Sequence, residues 1–377
     1  MKILISLNSS WNIYNFRSGL IRSFLAAGHQ VVAVCPDDGY VDRISELGCR
    51  VRVIAMDGQG TNPIREGRLF LSYCSIIWSE RPHVYLGYTV KPNVYGSIAA
   101  HLCSVPVINN IAGLGAVYIG GGWMRKLVSQ LYRLALSRSK MVFFQNEDDR
   151  SLFISMGLTN AARTDLLPGS GIDLLKFSCS GAANQPRAED MSESFRFLLV
   201  GRMLWDKGVG EYVEAARSLQ MRYPRAVFCL LGFLDSANPA AISRAQMREW
   251  ENEGFISYLG ESDDVRKELL KAHCVVLPSY REGAPRTLLE ASAMCLPVVA
   301  TNVPGCNRVV EDGVTGFLCE PRSAVSLALC LERMLSMSVK EREEMGHRGR
   351  RKMELEFDER FVIDKYQLTI QAICSSS

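Results

Sequence analysis

The chain has 12 cysteines but no Cys-x-x-Cys pair, and only five histidines with no HExxH among them. Zinc ribbons, dithiol redox motifs and metalloprotease helices are therefore excluded, and no dedicated metal site is expected. No run of 18 apolar residues occurs, so no helix is expected to span a membrane. The opening Met1 to Asn8 reads as a strand rather than a signal peptide, because polar Asn8, Ser9 and Ser10 follow a short apolar stretch at once. GxxxxGK[ST] is absent. Gly113-Leu-Gly115 is not a dinucleotide fingerprint, since Tyr118 stands where a third glycine would be needed. No repeat of 20–50 residues and no low-complexity tract is found. Net charge is only +3, and no nucleic-acid reading motif is recognisable, so no nucleic-acid partner is expected.

What is present fits a globular chain of ordinary composition, 47% hydrophobic and 22% charged over 377 residues, which suits two domains better than one. Cys35, Cys229, Cys274 and Cys295 sit in or beside apolar runs. They read as buried free thiols in a reducing cytoplasm. Charge is unevenly divided: residues 1–170 carry 17 Lys+Arg against 11 Asp+Glu, whereas the remainder is net acidic. A basic first half favours an anionic partner, either phosphate groups or a membrane face.

Short Val/Ile/Leu runs alternate with amphipathic segments. In the first half the runs are Ile3–Leu7, Val31–Cys35, Val51–Ile54, Val84–Leu86, Val105–Ile108 and Met141–Phe144. They resume at Phe195–Val200, Ala226–Leu231, Phe255–Tyr258, Cys274–Leu277 and Pro297–Ala300. Continuous apolar strands separated by helices predict parallel sheets covered on both faces. The expected fold is α/β with two doubly wound, Rossmann-like domains facing across a cleft. Residues 1–170 form the first, 171–194 a linker that is small and polar over 178–194, 195–355 the second, and 356–377 a terminal helix able to pack back on the first. Ligands of such sheets bind outside the carboxyl ends of the strands.

Two segments at such ends carry chemistry. Gly201-Arg202-Met-Leu-Trp-Asp-Lys207-Gly208 links the strand Phe195–Val200 to a helix. Glycines admit close backbone approach, and an Arg and a Lys can neutralise a diphosphate; two solvated loop charges are the alternative. Glu282-Gly283-Ala284-Pro285 is a tight turn after Cys274–Leu277, and Glu290 follows in the helix opened by Arg286. Paired carboxylates suit vicinal hydroxyls of a sugar or ribose, though one could merely cap the helix. Glu147-Asp-Asp149 reads as the acidic start of a helix capped by Asn146, not as a metal-binding pair.

Together these segments resemble the family 4 retaining glycosyltransferases of the GT-B fold, whose Glu-x7-Glu is matched by Glu282 and Glu290 and whose Gly-Arg…Lys-Gly is matched by Gly201, Arg202, Lys207 and Gly208. Pro297 to Thr301, Pro304-Gly305, Glu311 to Leu318 and Pro168 to Asp173 also look like the family. The resemblance covers essentially the whole chain and is densest from 195 to 320. It implies that Arg202 and Lys207 hold the donor diphosphate and Glu290 the ribose. Glu282 with the amides of Gly283 and Ala284 would grip the donor sugar, and the base would lie near Gly232 and Gly260. A retaining, metal-independent transfer with no cofactor is the expectation, with a nucleotide-sugar, UDP-based, as donor.

The first half resembles a narrower group that extends undecaprenyl-diphosphate-linked sugars in capsule, O-antigen and N-glycan precursor assembly. The resemblance rests on Asn15-Phe-Arg17-Ser-Gly-Leu-Ile21 and on Ile111-Ala-Gly113-Leu-Gly115-Ala-Val-Tyr118. Asn15, Arg17, Asn109, Gly113 and Gly115 are the acceptor-side residues it implies. Many members place a His after the fifth strand; this chain has Asn109-Asn110 there, so Asn109, Asn110 or the Gly113–Gly115 backbone would have to substitute. The basic segment Trp123–Lys140 carries Leu127, Leu131 and Leu134 on one stripe, with Arg125, Lys126, Arg133, Arg138 and Lys140 as cations. It reads either as a helix docking on a membrane surface, at the inner face of the plasma membrane, or as an ordinary helix packed on its sheet. A nucleotide-sugar epimerase of the same architecture and an inactive sugar-nucleotide-binding protein remain as alternatives.

Overall fold

A computed structural model describes residues 1–57, 62–113, 123–179, 194–234, 238 and 240–375. The chain forms two compact units, Met1–Ser170 with Glu359–Ser377 and Gly171–Asp358. Both are α/β, and every strand pairing in both sheets is parallel.

The first unit holds a seven-stranded sheet in the order β3-β2-β1-β4-β5-β6-β7. Its strands are β1 Lys2–Ser6, β2 Gln30–Cys35, β3 Arg50–Val53, β4 Val84–Tyr88, β5 Val107–Ile111, β6 Met141–Phe144 and β7 Thr164–Leu166. Alternate β1 residues feed opposite faces: Ile3 and Ile5 join one buried cluster, Leu4 the other. A strand apolar on both sides needs a layer of helices on each face, which is why the runs are continuous rather than alternating. The helix Glu359–Ser375 belongs to this unit. Val362, Tyr366, Ile370 and Ile373, spaced three or four apart, bury one stripe in the cluster that holds Ile13 and Phe143.

The second unit holds a six-stranded sheet in the order β10-β9-β8-β11-β12-β13. Its strands are β8 Phe195–Val200, β9 Ala226–Leu231, β10 Ser257–Tyr258, β11 Cys274–Leu277, β12 Val298–Thr301 and β13 Gly316–Cys319. Phe197 and Leu199 point into one core and Leu198 into the other. In each sheet the strand order reverses once, between β1 and β4 and between β8 and β11. Such a switch point opens a crevice at the carboxyl ends of those strands.

Three expectations need correction. The stretch 171–179 is not linker: Ile172 and Phe177 are buried in the second core, and the Ile172 amide donates to the Phe357 carbonyl at 2.8 Å. Ile172 and Phe177 stand five positions apart, a spacing that fits neither a strand nor a helix. Asn109 and Asn110 lie within β5 rather than after it. The cysteines are not all free, for Cys179 and Cys295 form a disulfide with their Cα atoms 5.8 Å apart. Arg350 fixes that approach by donating to the carbonyls of Phe177 and Ala293, at 2.7 and 2.8 Å. The other described cysteines, Cys35, Cys229 and Cys274 among them, are free.

Candidate active site

The two motifs of the second unit meet at its switch point. β8 ends at Val200, and its loop runs from Gly201 through a single 3-10 turn, Trp205–Lys207, to Gly208. Gly208 has φ +71°, and a Cβ there would lie 2.1 Å from the Pro278 carbonyl oxygen, so only glycine lets the loop touch the one after β11. The Tyr280 amide donates to the Asp206 carbonyl at 2.9 Å, and the Thr287 hydroxyl to the Val200 carbonyl at 3.2 Å. These bonds fix the two loops side by side.

Lys207 and Glu282 form an ion pair across that seam, with 21% and 14% side-chain exposure. The pair is partly desolvated, so its mutual attraction outweighs that of an exposed pair, while one edge stays open to solvent. Behind it sits the thiol of Cys306, fully buried and pushed well above its ordinary range by burial and then by the Glu282 charge. It is an inert floor, not a nucleophile. Gly305, with φ +87°, lets the following loop pass beneath the Glu282–Gly283 backbone; a Cβ would stand 2.5 Å from the Glu282 carbonyl oxygen.

Glu290 lies on the helix Arg286–Ala293, nearly buried. Arg286, one turn earlier, donates from Nε to Glu290 Oε1 at 2.9 Å and from its terminal nitrogen to the Gly171 carbonyl at 2.7 Å. Burial raises the Glu290 carboxyl above the ordinary range, and the Arg286 charge works against that rise. Arg286 is not among the residues expected from the sequence to build the site, although its i,i+4 spacing to Glu290 is a signal of the pairing.

Gly201, Gly232 and Gly260 adjoin one another: the Gly232 amide donates to the Gly260 carbonyl at 2.8 Å, and a Cβ on Gly232 would lie 1.8 Å from the Gly201 carbonyl oxygen. Gly283 and Ala284 are partly exposed in the turn after Glu282, and Arg202 is exposed on the loop that carries Lys207. Lys207 and Glu282 are thus in contact, Glu290 follows one helical turn beyond the Glu282 loop, and Arg202 shares the Lys207 loop.

In the first unit the expected acceptor residues separate. Asn109 is fully buried and spent: its Nδ2 donates to Asn93 Oδ1 and Ser97 Oγ at 2.9 and 2.8 Å, while Ser139 donates to its Oδ1 at 2.6 Å. These three bonds tie it to Asn93, Ser97 and Ser139 inside the unit. Asn15 turns back on its own helix, donating to the Trp11 carbonyl at 3.0 Å. Arg17 is 5% exposed with its guanidinium over the Tyr88 ring, 4.4 Å from the centroid. Gly113 has φ +148° and open space where a Cβ would be, whereas Gly115 lies outside the described residues.

The basic helix spans Trp123–Leu136. Tyr132 and Leu136 bury its inner face, with Val128 and Leu131 packed partly against them, while Leu127 and Leu134 are 46% and 58% exposed. Arg133 is occupied by the carbonyls of Met156 and Gly157, both at 3.2 Å, so it caps a neighbouring turn rather than facing a surface ligand. Among the described residues no helix is long and apolar enough to cross a membrane, and no metal-binding cluster of His, Cys, Asp and Glu is found.

Residues 183–352 match the family model described as glycosyl transferases group 1, and residues 16–169 match that of the glycosyl transferase 4-like domain. The chain is 26% identical over 338 residues to the N,N'-diacetylbacillosaminyl-diphospho-undecaprenol alpha-1,3-N-acetylgalactosaminyltransferase of Campylobacter jejuni, covering 87% of this chain and 88% of that one. It is 24% identical to the UDP-Gal:alpha-D-GlcNAc-diphosphoundecaprenol alpha-1,3-galactosyltransferase of Escherichia coli, over 76% and 75% of the two chains. Its fold matches that of Anabaena Alr3699/HepE, solved in complex with UDP and glucose, with TM-score 0.81, 18% identity and 98% and 99% coverage. The chain is a glycosyltransferase of the GT-B fold, its first unit belonging to the glycosyl transferase 4-like domains and its second to the glycosyl transferases group 1.

Proposed function

We propose that the chain transfers a hexose or N-acetylhexosamine from its UDP derivative, with retention of the α configuration, to a lipid-diphosphate-linked saccharide in bacterial surface polysaccharide assembly. The observation that carries this reading is the Lys207–Glu282 pair, with Glu290 one helical turn beyond, at the switch point of the second sheet. Two relatives with named diphosphoundecaprenol acceptors support the acceptor class, and one of them names UDP-Gal as donor.

In the reaction the bond between the anomeric carbon and the β-phosphate oxygen breaks, and its electron pair leaves with UDP. The acceptor hydroxyl oxygen forms the new bond to the anomeric carbon, and its proton is released with the departing UDP. Negative charge therefore grows on the diphosphate, where fixed cations lower the barrier most. The Lys207 ammonium has three N–H groups; with one on Glu282, two remain for phosphate oxygens. Arg202 supplies the second cation. Glu290 accepts from the ribose hydroxyls, Arg286 holding one of its oxygens so that the other is presented. Glu282 and the amides of Gly283 and Ala284 orient the sugar; Pro285 has no amide to give. The base rests by Gly232 and Gly260.

The acceptor is carried by the first unit, with Arg17 and Gly113 on its side. The exposed Leu127 and Leu134, among Lys126, Arg138 and Lys140, support a peripheral protein docked on the inner face of the plasma membrane. Incubation with UDP-, GDP- and dTDP-sugars and a synthetic polyprenyl-diphosphate saccharide tests the reading. Transfer from a UDP-sugar giving an α-linked product is expected; transfer with inversion, or product formed without acceptor, contradicts it.

A further inference from the structure

Arg17 is the feature of the first unit that folding alone does not explain. It lies two turns into the helix Ser10–Ala26 and is 95% buried, and its Nε has no hydrogen-bond partner. Among the described residues it makes no ion pair; its recorded contact is the Tyr88 ring. A desolvated guanidinium without a counter-charge is costly, and a cation–π contact returns only part of that cost.

Its surroundings mark where the missing charge belongs. Tyr88 is the last residue of β4, in register with Asn110 of β5, and Ser6 at the end of β1 is in register with Gly87. Arg17 therefore sits at the carboxyl ends of β1 and β4, the switch point of the first sheet, where such folds take ligands. Asn8, two residues beyond β1, has a buried Oδ1 that also lacks a partner. Tyr366 and Asn110 close the back wall, the Asn110 amide donating to the Tyr366 hydroxyl at 3.1 Å. The charge of Arg17 opposes the burial that raises both Tyr88 and Tyr366, which puts both hydroxyls within reach of its field.

We infer that Arg17 is the anion-binding residue of the first unit and takes the phosphoryl oxygens of the acceptor's diphosphate. A guanidinium offers a planar fork that matches two oxygens of one phosphoryl group. The Tyr88 ring holds the guanidinium on one side, and the guanidinium's Nε–H is unspent. The acceptor would then be recognised by its diphosphate as well as by its sugar. This rests on the reading of the acceptor as diphosphate-linked.

Binding of geranyl diphosphate to the full chain, with saturating UDP present to fill the donor site, tests the inference by isothermal titration calorimetry. Geraniol serves as the neutral control. The wild-type chain should bind the diphosphate and not the alcohol. Arg17→Gln should weaken diphosphate binding at least tenfold and leave UDP affinity unchanged, whereas Arg17→Lys, which keeps the charge and loses the fork, should fall between. Equal binding by wild type and Arg17→Gln overturns the inference, as does a wild type that ignores the diphosphate. Loss of UDP affinity in Arg17→Gln with diphosphate binding intact also overturns it, assigning the cation to the donor. Should Arg17→Gln melt before the titration temperature, the Arg17→Lys titration decides alone, and wild-type affinity in it counts against the fork. Because the readout is binding, failure of sugar transfer would reject the proposed reaction without touching this result.

Discussion

Lys207 and Glu282 stand 75 positions apart in sequence and touch. Each comes from a loop following a different strand, and β8 and β11 are neighbours where the strand order reverses. The contact needs Gly208 against Pro278 and Gly305 beneath Glu282, two places where a side chain would collide with backbone. An ammonium fixed by a carboxylate on one side has a defined direction for its remaining hydrogens. In the proposed reaction those hydrogens meet the leaving diphosphate.

Arg286 should control the acid side of nucleotide binding. Burial raises the Glu290 carboxyl, and the proposed contact with the ribose needs it ionised, so UDP affinity should fall as pH drops through that raised value. Arg286 opposes the rise. In Arg286→Leu the carboxyl moves up further, and the acid limb of UDP affinity should shift to higher pH, with Arg286→Lys restoring part of it. Titrations from pH 5 to 8 check this; an unmoved limb removes Arg286 from the site.

Gly305→Ala should damage stability and turnover together. The residue sits at φ +87°, and the new methyl would meet two carbonyl oxygens at 2.5 and 2.6 Å. A cost of about 1–3 kcal/mol is expected for such a backbone conflict. Thermal melting should show a lower Tm, and turnover should fall because the Glu282 loop must shift. Gly313→Ala, with φ +73° but open space around it, should cost less and spare turnover.

The disulfide predicts a thiol count. With Cys179 joined to Cys295, alkylation of the unfolded, unreduced chain should add ten labels, and reduction should raise that to 12. Intact-mass measurement distinguishes the two. The bridge closes a long loop, and Cys179→Ser should lower stability by about 2–4 kcal/mol.

The exposed leucines of the helix Trp123–Leu136 predict binding to vesicles. Sedimentation with phosphatidylglycerol liposomes should retain the chain at low salt and release it as salt rises. Leu127→Ser with Leu134→Ser should reduce retention several-fold without altering Tm, since both side chains already face solvent. Retention equal to wild type would exclude this face.

The strand alternation was legible in the sequence because a doubly covered parallel sheet demands continuous apolar runs, as in Phe195–Val200 and Ala226–Leu231, whose bounds the structure keeps. β7 and β13 were missed: Thr164–Leu166 is three residues long, and Gly316–Cys319 lies inside a glycine-rich turn pattern. The Lys207 loop and Glu282 each follow a strand, but it is the resemblance to the family's Gly-Arg…Lys-Gly and Glu-x7-Glu patterns that singles them out, together with Glu290 inside its helix. Asn109 was misplaced because a polar pair at 109–110 reads as loop, and only tertiary partners such as Ser97 and Ser139 let it remain within a strand. The Cys179–Cys295 bridge spans 116 positions and leaves no local signal.

The most direct test of the account is the turnover of Lys207→Ala on a UDP-sugar and a polyprenyl-diphosphate saccharide, with folding checked by melting. Loss of one charge contact on the departing diphosphate predicts a fall in kcat of at least about tenfold, with Tm little changed. A folded Lys207→Ala chain that turns over at the wild-type rate would contradict it.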